Sequence, residues 1–163
     1  MRILVVGASG RVGHLLVEKL AADGHEVIAG TRHLDETFTS KRVVLAKLDV
    51  LIDEEQLVNE LLDLKLDAVY FFAGSKGKNL LQVDSFGAVK LENAAEKAGI
   101  DRFIMLSSWQ ATNPKAWSEE LRDYNIAKFF ADNWLIDHTT LNYTILQPGA
   151  LTETPGSGKI VFD

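Results

Sequence analysis

The chain has 163 residues, which is enough for one domain with a hydrophobic core and too few for two full domains. Hydrophobic residues make up 47% and charged residues 25%, as in ordinary globular proteins, and the net charge of −6 disfavours nucleic acid as a partner. Since the chain has no cysteine, disulfide bonds and a thiolate nucleophile are excluded.

The first predicted elements are a strand at Ile3–Val6 and a helix at Val12–Ala22, joined by a glycine-rich turn. Gly7 suits a tight turn, Gly10 lets a pyrophosphate approach the backbone, and Gly13 lets the helix pack close to the strand. The helix start offers free N–H groups and a partial positive charge to phosphates. This pattern favours nucleotide binding over a plain strand-to-helix turn.

The rest of the chain alternates between apolar, strand-like runs and helical runs. Further strands are predicted at Glu26–Ala29, Val43–Lys47, Ala68–Phe72, Phe103–Leu106 and Tyr143–Leu146. Helices are predicted from an Asp53 cap to about Leu62, at Asn79–Ala98 and at Glu119–Asp137. Continuous apolar strands indicate a parallel sheet buried on both faces, which predicts an α/β doubly wound Rossmann fold with three αβα layers and strand order 3-2-1-4-5-6. Lys159–Phe162 is either a short strand or a poorly ordered end.

A second set of residues brings together a phenol, an ammonium and hydroxyl groups. Tyr124 and Lys128 are four residues apart on a predicted helix, which places them on one face. Ser107 and Ser108 follow the fifth strand, at the sheet edge that faces the ligand crevice. The four residues are therefore candidate catalytic residues beside the nucleotide.

With these motifs the chain resembles the short-chain dehydrogenase/reductase superfamily, most closely its atypical NmrA-like and biliverdin-reductase-B-like NAD(P)-binding proteins. The resemblance runs over nearly the whole chain. The stretches that carry it are Gly7–Gly13, Thr31-Arg32, Leu48–Val50, Ala73-Gly74, Val83-Asp84 through Ala94-Ala95, Arg102–Ser108, Tyr124–Lys128 and Tyr143–Gly149.

The resemblance implies a role for each cofactor-binding residue. The glycine loop would hold the pyrophosphate, through Gly7, Ser9, Gly10, Arg11, Val12 and Gly13. Asp49 and Val50 would flank the adenine, and Ala73 and Gly74 would let the backbone approach a ribose. Pro148 and Gly149 would close over the nicotinamide.

The resemblance also implies the catalytic roles. Tyr124 would protonate a carbonyl oxygen as hydride arrives, and Ser108 or Ser107 would hydrogen-bond that oxygen. Lys128 would hold the nicotinamide ribose and lower the pKa of Tyr124 from its usual value of about 10.

Several positions depart from the superfamily pattern. Phe71-Phe72-Ala73-Gly74 replaces Asn-Asn-Ala-Gly, Asp84 replaces a helical Asn, and Gln147 replaces Arg before Pro148-Gly149. Residues 1–163 are expected to form one NAD(P)-binding domain without the C-terminal segment of relatives. The substrate pocket is then incomplete or shared with a partner chain, and the resemblance is compatible with a homodimer.

The cofactor preference depends on the end of the second strand, where NAD-binding folds usually carry a carboxylate. No carboxylate stands in Ala29–His33, and the nearest, Asp35, lies beyond it. Arg32, together with Arg11, is suited to bind a 2′-phosphate. NADP(H) is therefore favoured, and NAD(H) stays open.

These observations predict an NAD(P)H-dependent oxidoreductase that transfers hydride to a small carbonyl, flavin or quinone acceptor. The alternatives are a non-catalytic NAD(P)-binding redox sensor and, last, a sugar-nucleotide epimerase or dehydratase. No metal site is expected from the scattered histidines, and Trp134 is expected in the core. Because there is neither a basic leader nor a membrane-length apolar run, a cytoplasmic protein without membrane partners is expected.

Overall fold

A computed structural model of the chain describes residues 1–160, and in that range the fold is built on one parallel sheet of six strands. The order along the sheet is β3-β2-β1-β4-β5-β6, which confirms the predicted doubly wound fold. The strands are β1 (Arg2–Val6), β2 (Glu26–Thr31), β3 (Val43–Lys47), β4 (Ala68–Phe71), β5 (Arg102–Leu106) and β6 (Asn142–Leu146).

Four α-helices connect the strands within the described range. They are α1 (Arg11–Ala22), α2 (Glu54–Leu64), α3 (Phe86–Lys97) and α4 (Arg122–His138). Asp53 caps α2 as predicted, since its side chain accepts a hydrogen bond of 2.8 Å from the Gln56 amide. A turn of π-helix, Leu80–Ser85, leads into α3. None of these helices is long and apolar enough to cross a bilayer.

The core lies on both faces of the sheet because side chains alternate along each strand. Ile3 and Val5 pack with Val17 of α1 on one face. Leu4 and Val6 pack on the opposite face, with residues of α2, α3 and α4. The central strand β1 is thus buried on both faces, as its continuous apolar run predicts.

Several predicted boundaries differ from the structure, mostly by one or two residues. β2 runs on through Gly30 to Thr31, beyond its predicted end at Ala29. The helix expected at Asn79–Ala98 starts as the π-helical turn, and the helix expected from Glu119 starts at Arg122. Of the possible strand at Lys159–Phe162, the described residues 159 and 160 are not in a strand, and the rest lies outside the described residues.

Candidate functional site

A cleft of about 410 Å³ opens at the carboxyl ends of β1, β2 and β4, beside the point where the strand order reverses. Its lining includes eight of the residues predicted to bind a cofactor: Gly7, Ser9, Gly10, Arg32, Asp49, Val50, Ala73 and Gly74. Residues that were not predicted complete the lining: Val6, Gly30, Thr31, Leu48, Phe72, Ser75, Lys76, Lys78, Asn79 and Val83. The size is typical of small-molecule sites, which span roughly 300–1,000 Å³.

The glycine loop that forms one wall of the cleft has no room for side chains at two positions. Gly7 has a φ of +88°, and a Cβ there would lie 2.5 Å from the Ala73 nitrogen. A Cβ on Gly13 would lie 2.2 Å from the Gly7 carbonyl oxygen. The loop after β1, the start of α1 and the end of β4 are thus in close backbone contact, and glycine is required there.

The N-terminus of α1 faces this loop without a capping side chain. Gly10 occupies the N-cap position, and its own amide donates to the Gly7 carbonyl at 2.9 Å. The first amides of a helix have no intrahelical partner, so the start of α1 can accept an anion. Arg11 and Val12 stand in this first turn outside the lining of the cleft, and the exposed Arg11 guanidinium pairs with Glu153.

Arg32 and Asp49 contribute a cation and a carboxylate to the lining of the cleft. Arg32 follows β2 and is exposed in the lining, and the Thr31 hydroxyl beside it donates to the His33 carbonyl. Asp49 is half-buried, and one of its oxygens accepts a hydrogen bond of 3.0 Å from the Leu51 amide. Arg32 therefore offers its guanidinium to a ligand from the end of β2.

Asp84 lies in the π-helical turn that leads into α3, behind the wall of the cleft. Its side chain is 1% exposed, and one oxygen accepts a hydrogen bond of 3.0 Å from the Ser75 amide in the cleft wall. The other oxygen has no hydrogen-bond partner among the described residues. A Cβ on Gly74 would lie 3.2 Å from that free oxygen, so the carboxylate lies directly behind the backbone of the cleft.

Tyr124 and Lys128 lie on one face of α4, as their spacing predicts. The Lys128 ammonium is 5.8 Å from the centre of the Tyr124 ring and 5.6 Å from that of Phe71, the last residue of β4. It donates a hydrogen bond of 3.0 Å to the Leu106 carbonyl at the end of β5. The two residues thus adjoin the strand end from which Phe72 enters the cleft, although neither lines the cleft itself.

The pKa of Tyr124 differs from the expectation. Burial, with the Asp84 and Asp132 carboxylates, raises the pKa of Tyr124 to about 12. Burial also lowers the pKa of Lys128, while Asp84, Asp132 and Glu92 act in the opposite direction. The expected lowering of the Tyr124 pKa is therefore wrong for this structure, because burial and the two nearby carboxylates raise it.

The two serines after β5 differ in their surroundings. The Ser107 hydroxyl is buried and donates a hydrogen bond of 2.6 Å to Asp132. Ser108 is half-buried, and none of the described side chains binds its hydroxyl at hydrogen-bond distance. Of the two serines proposed to bind a carbonyl oxygen, Ser108 is the one whose hydroxyl is not already committed to the protein.

Pro148 and Gly149 do not line the cleft. The Pro148 carbonyl accepts a hydrogen bond of 3.0 Å from the Trp109 amide, which links this loop to the one that carries the serines. Trp109 is half exposed and also lies outside the cleft lining. Trp134, expected in the core, is 36% exposed and donates to Asn93 at 2.8 Å, so that expectation is wrong.

Two buried carboxyls near Lys128 were not predicted. Asp132 follows Lys128 by four residues on α4, and Glu92 lies on α3; both side chains are 0% exposed. The spacing of Tyr124, Lys128 and Asp132 was visible in the sequence, but only the packing of α3 against α4 shows Glu92. No group of three side chains in residues 1–160 is arranged to hold a metal ion.

Comparisons with known proteins show the family to which the chain is similar. A family model described as NAD(P)H-binding matches residues 7–163. The chain is 38% identical to the UPF0659 protein YMR090W of Saccharomyces cerevisiae, over 98% of this chain and 74% of that protein. It is 36% identical to the uncharacterized sugar epimerase YhfK of Bacillus subtilis, over 98% of this chain and 77% of that protein.

Solved structures include similar chains. The oxidoreductase ylbE from Lactococcus lactis is 42% identical, with a TM-score of 0.92 over 97% of this chain and 73% of that chain. The Bordetella bronchiseptica enzyme WbmG in complex with NAD is 18% identical, with a TM-score of 0.74 over 90% of this chain and 52% of that chain. The likeness to WbmG bears on the fold alone.

Proposed function

The chain belongs to the NAD(P)H-binding family of oxidoreductase- and epimerase-like proteins, and from this premise we propose that it is an NADP(H)-dependent oxidoreductase. The acceptor we propose is a small carbonyl compound, with a flavin or quinone as the alternatives. The observation that carries the proposal is the position of Tyr124 and Lys128 beside the strand end that enters the glycine-lined cleft.

The cleft fits a dinucleotide. The backbone contacts of Gly7 and Gly13 keep side chains out of the turn, and the start of α1 has no capping side chain to compete with a phosphate. The pyrophosphate would lie at this helix start, and the adenine would lie toward Asp49 and Val50.

The proposed chemistry divides between the cofactor and the chain. The nicotinamide supplies the hydride when it is bound. Tyr124 donates the phenolic proton to the carbonyl oxygen, so that the carbonyl becomes an alcohol and the phenol a phenolate that regains a proton from water. Ser108 hydrogen-bonds the same oxygen, and Lys128 holds the ribose with its ammonium. A phenol of ordinary pKa is already protonated at neutral pH, and burial, with the Asp84 and Asp132 charges, raises the pKa of Tyr124 further, to about 12.

Arg32 supports NADP(H) as the cofactor. A guanidinium binds a 2′-phosphate through paired, charge-assisted hydrogen bonds. In the described chain no carboxylate lines the cleft at the end of β2, where one would bind the ribose 2′-hydroxyl of NAD(H). Arg11 contributes less to this preference, since its guanidinium pairs with Glu153.

Calorimetric titration with NADPH and NADH, followed by a carbonyl, flavin and quinone screen, tests the proposal. We expect tighter binding of NADPH and NADPH-dependent reduction of a carbonyl that Tyr124→Phe abolishes. Reduction that survives this substitution would show a flavin-type or quinone-type reaction without the tyrosine. Tight binding without turnover on any acceptor would favour the redox sensor, and binding of neither cofactor would refute both functions.

A sugar epimerase is the second candidate, because the relative YhfK carries that name at 36% identity. Such a reaction needs the tyrosine as a base before it acts as an acid. The raised pKa of Tyr124 opposes the basic step in the free protein. Incubation with uridine diphosphate sugars and catalytic NAD⁺ decides between the two candidates: a changed sugar without net cofactor reduction would support the epimerase.

A further inference from the structure

Four buried charged side chains meet where α4 packs against the π-helical turn and α3. This buried charged cluster consists of Asp84, Glu92, Lys128 and Asp132, and each member is at most 1% exposed. Asp84 in the π-helical turn and Glu92 on α3 are about two helical turns apart. Tyr124 and Asp132 are separated by the same distance along α4. Lys128 thus lies among three carboxyl groups, each of which raises its pKa against the effect of burial.

Hydrogen bonding within the cluster is uneven. One oxygen of Asp132 accepts from Ser107 at 2.6 Å and from Gln147 at 3.0 Å. Its other oxygen has no partner among the described residues, and neither has either oxygen of Glu92. A buried carboxylate without donors is costly, so an uncharged carboxyl is the stable form for Glu92.

The number of charges in the cluster also indicates that Glu92 is the uncharged carboxyl. Three carboxylates against one ammonium would leave two uncompensated negative charges in the interior. Burial raises the pKa of Asp132, but hydrogen bonds from Ser107 and Gln147 and the Lys128 charge act against this rise. Asp84 has the Ser75 amide as a donor, whereas Glu92 has no donor among the described residues. Burial and the Asp132 charge raise the pKa of Glu92 well above its usual value.

Nearby cations compensate Glu92 only in part. On the side of α3 that faces α2, the Lys90 ammonium donates to the Ile52 carbonyl, and Lys97 pairs with Glu54. On the side that faces α4, Tyr124 and Lys128 are the remaining titratable groups of the site. Lys128 acts to lower the pKa of Glu92, but burial and the Asp132 charge outweigh it.

We propose that Glu92 holds a proton at neutral pH, and that Asp132, which stays charged one turn from Lys128 on α4, keeps Lys128 a charged ammonium for cofactor binding. Asp132 acts through Lys128 and is therefore a positioning residue. The role of Lys128 toward the cofactor rests on the proposed oxidoreductase function, but the proton on Glu92 does not.

Carboxyl titration by ¹³C NMR on the cofactor-free protein tests the proton on Glu92. We expect one glutamate carboxyl signal with a raised midpoint that is absent in Glu92→Gln. In Asp132→Asn the midpoint of this signal should move downward, because the neighbouring negative charge is gone. Glu60→Gln is the matched control: Glu60 also has an unpartnered buried oxygen and a pKa raised by burial, but it lies on α2. An ordinary midpoint for Glu92, or one that does not change in Asp132→Asn, would overturn the proposal.

Calorimetry of NADPH binding against pH tests the positioning role. Asp132→Asn removes a negative charge that raises the pKa of Lys128. We therefore expect NADPH binding to be lost with rising pH at a midpoint about one pH unit or more below that of the wild type. The control Glu60→Gln should have the wild-type midpoint. If Asp132→Asn weakened NADPH binding equally at every pH, Asp132 would have only a structural role, and the positioning role would be overturned. If the wild type binds no NADPH at any pH, the proposed function fails, while the carboxyl titration still decides whether Glu92 is protonated.

Discussion

The Lys128 ammonium lies 5.8 Å from the centre of the Tyr124 ring, over the ring rather than bound to a carboxylate, and its hydrogen bond goes to the Leu106 carbonyl. A cation over an aromatic face stabilises the pair by electrostatic attraction to the ring. The same cation would stabilise a phenolate, but Asp84 and Asp132 act against it, and burial disfavours the charged phenol further. The free protein therefore keeps Tyr124 in its proton-donating form.

Ultraviolet titration of the phenols should show Tyr124 ionising at about pH 12 in the cofactor-free protein. Burial favours the neutral phenol, so folding stability gained from this group is lost as the pH rises from 10.0 to about 12. In that window the wild type should lose stability relative to Tyr124→Phe, and below it the difference should be constant. A phenol that ionises below pH 10 and disappears in Tyr124→Phe would contradict this.

The two serines after β5 should separate by substitution. Ser107→Ala removes a donor from the buried Asp132, and we expect unfolding to become easier by about 1–3 kcal/mol. Ser108→Ala touches no such bond, so its stability should change by less than about 0.5 kcal/mol. On an identified carbonyl substrate, Ser108→Ala should lower kcat by about a hundredfold.

Urea unfolding and steady-state kinetics of the two variants provide the measurement, and each variant controls for the other. Loss of turnover in Ser107→Ala at unchanged stability would reverse the assignment of the two hydroxyls.

Local patterns predicted most strand positions from apolar runs, and they predicted the sheet order because it is the usual one for alternating strands and helices. The runs indicate burial on both faces correctly for the central strand β1, whereas the edge strands β3 and β6 are partly exposed. The patterns failed at Gly30, which looks like a strand end in the sequence. In the fold a Cβ there would lie 3.2 Å from Leu4 Cδ1, so glycine is present for close packing inside β2. The π-helical turn before α3 also has no sequence signature of its own, because its apolar spacing resembles that of an α-helix.

The site residues also fall into those that the sequence predicts and those that only the tertiary packing shows. The glycine loop and the Tyr124–Lys128 pair follow from short spacings along the chain. The pairing of Ser107 with Asp132, and the approach of Glu92 to Lys128, depend on how α3 and α4 pack on the sheet. The direction of the Tyr124 pKa shift depends on those same tertiary neighbours, so a resemblance of motifs does not determine it.

Arg32→Ala should weaken NADPH binding about 10- to 100-fold and leave NADH binding unchanged, because a hydrogen-bonded charge contributes about 1.5–3 kcal/mol. Calorimetric dissociation constants for the two cofactors give the comparison. Arg42→Ala is the control, since Arg42 is equally exposed but lies outside the cleft lining. Equal weakening of both cofactors would show that Arg32 acts as a general charge and not on a 2′-phosphate.

Gly13→Ala should show that backbone contact shapes the glycine loop. The added Cβ would lie 2.2 Å from the Gly7 carbonyl oxygen, and neither backbone segment can move without shifting the turn. We expect a loss of about 1–3 kcal/mol in urea unfolding, together with weaker NADPH binding. Gly156→Ala, where an added Cβ meets nothing within 4 Å, should leave both properties unchanged. If Gly13→Ala behaved like Gly156→Ala in both unfolding and NADPH binding, the close approach of α1 to the turn would not determine the shape of the phosphate-binding backbone.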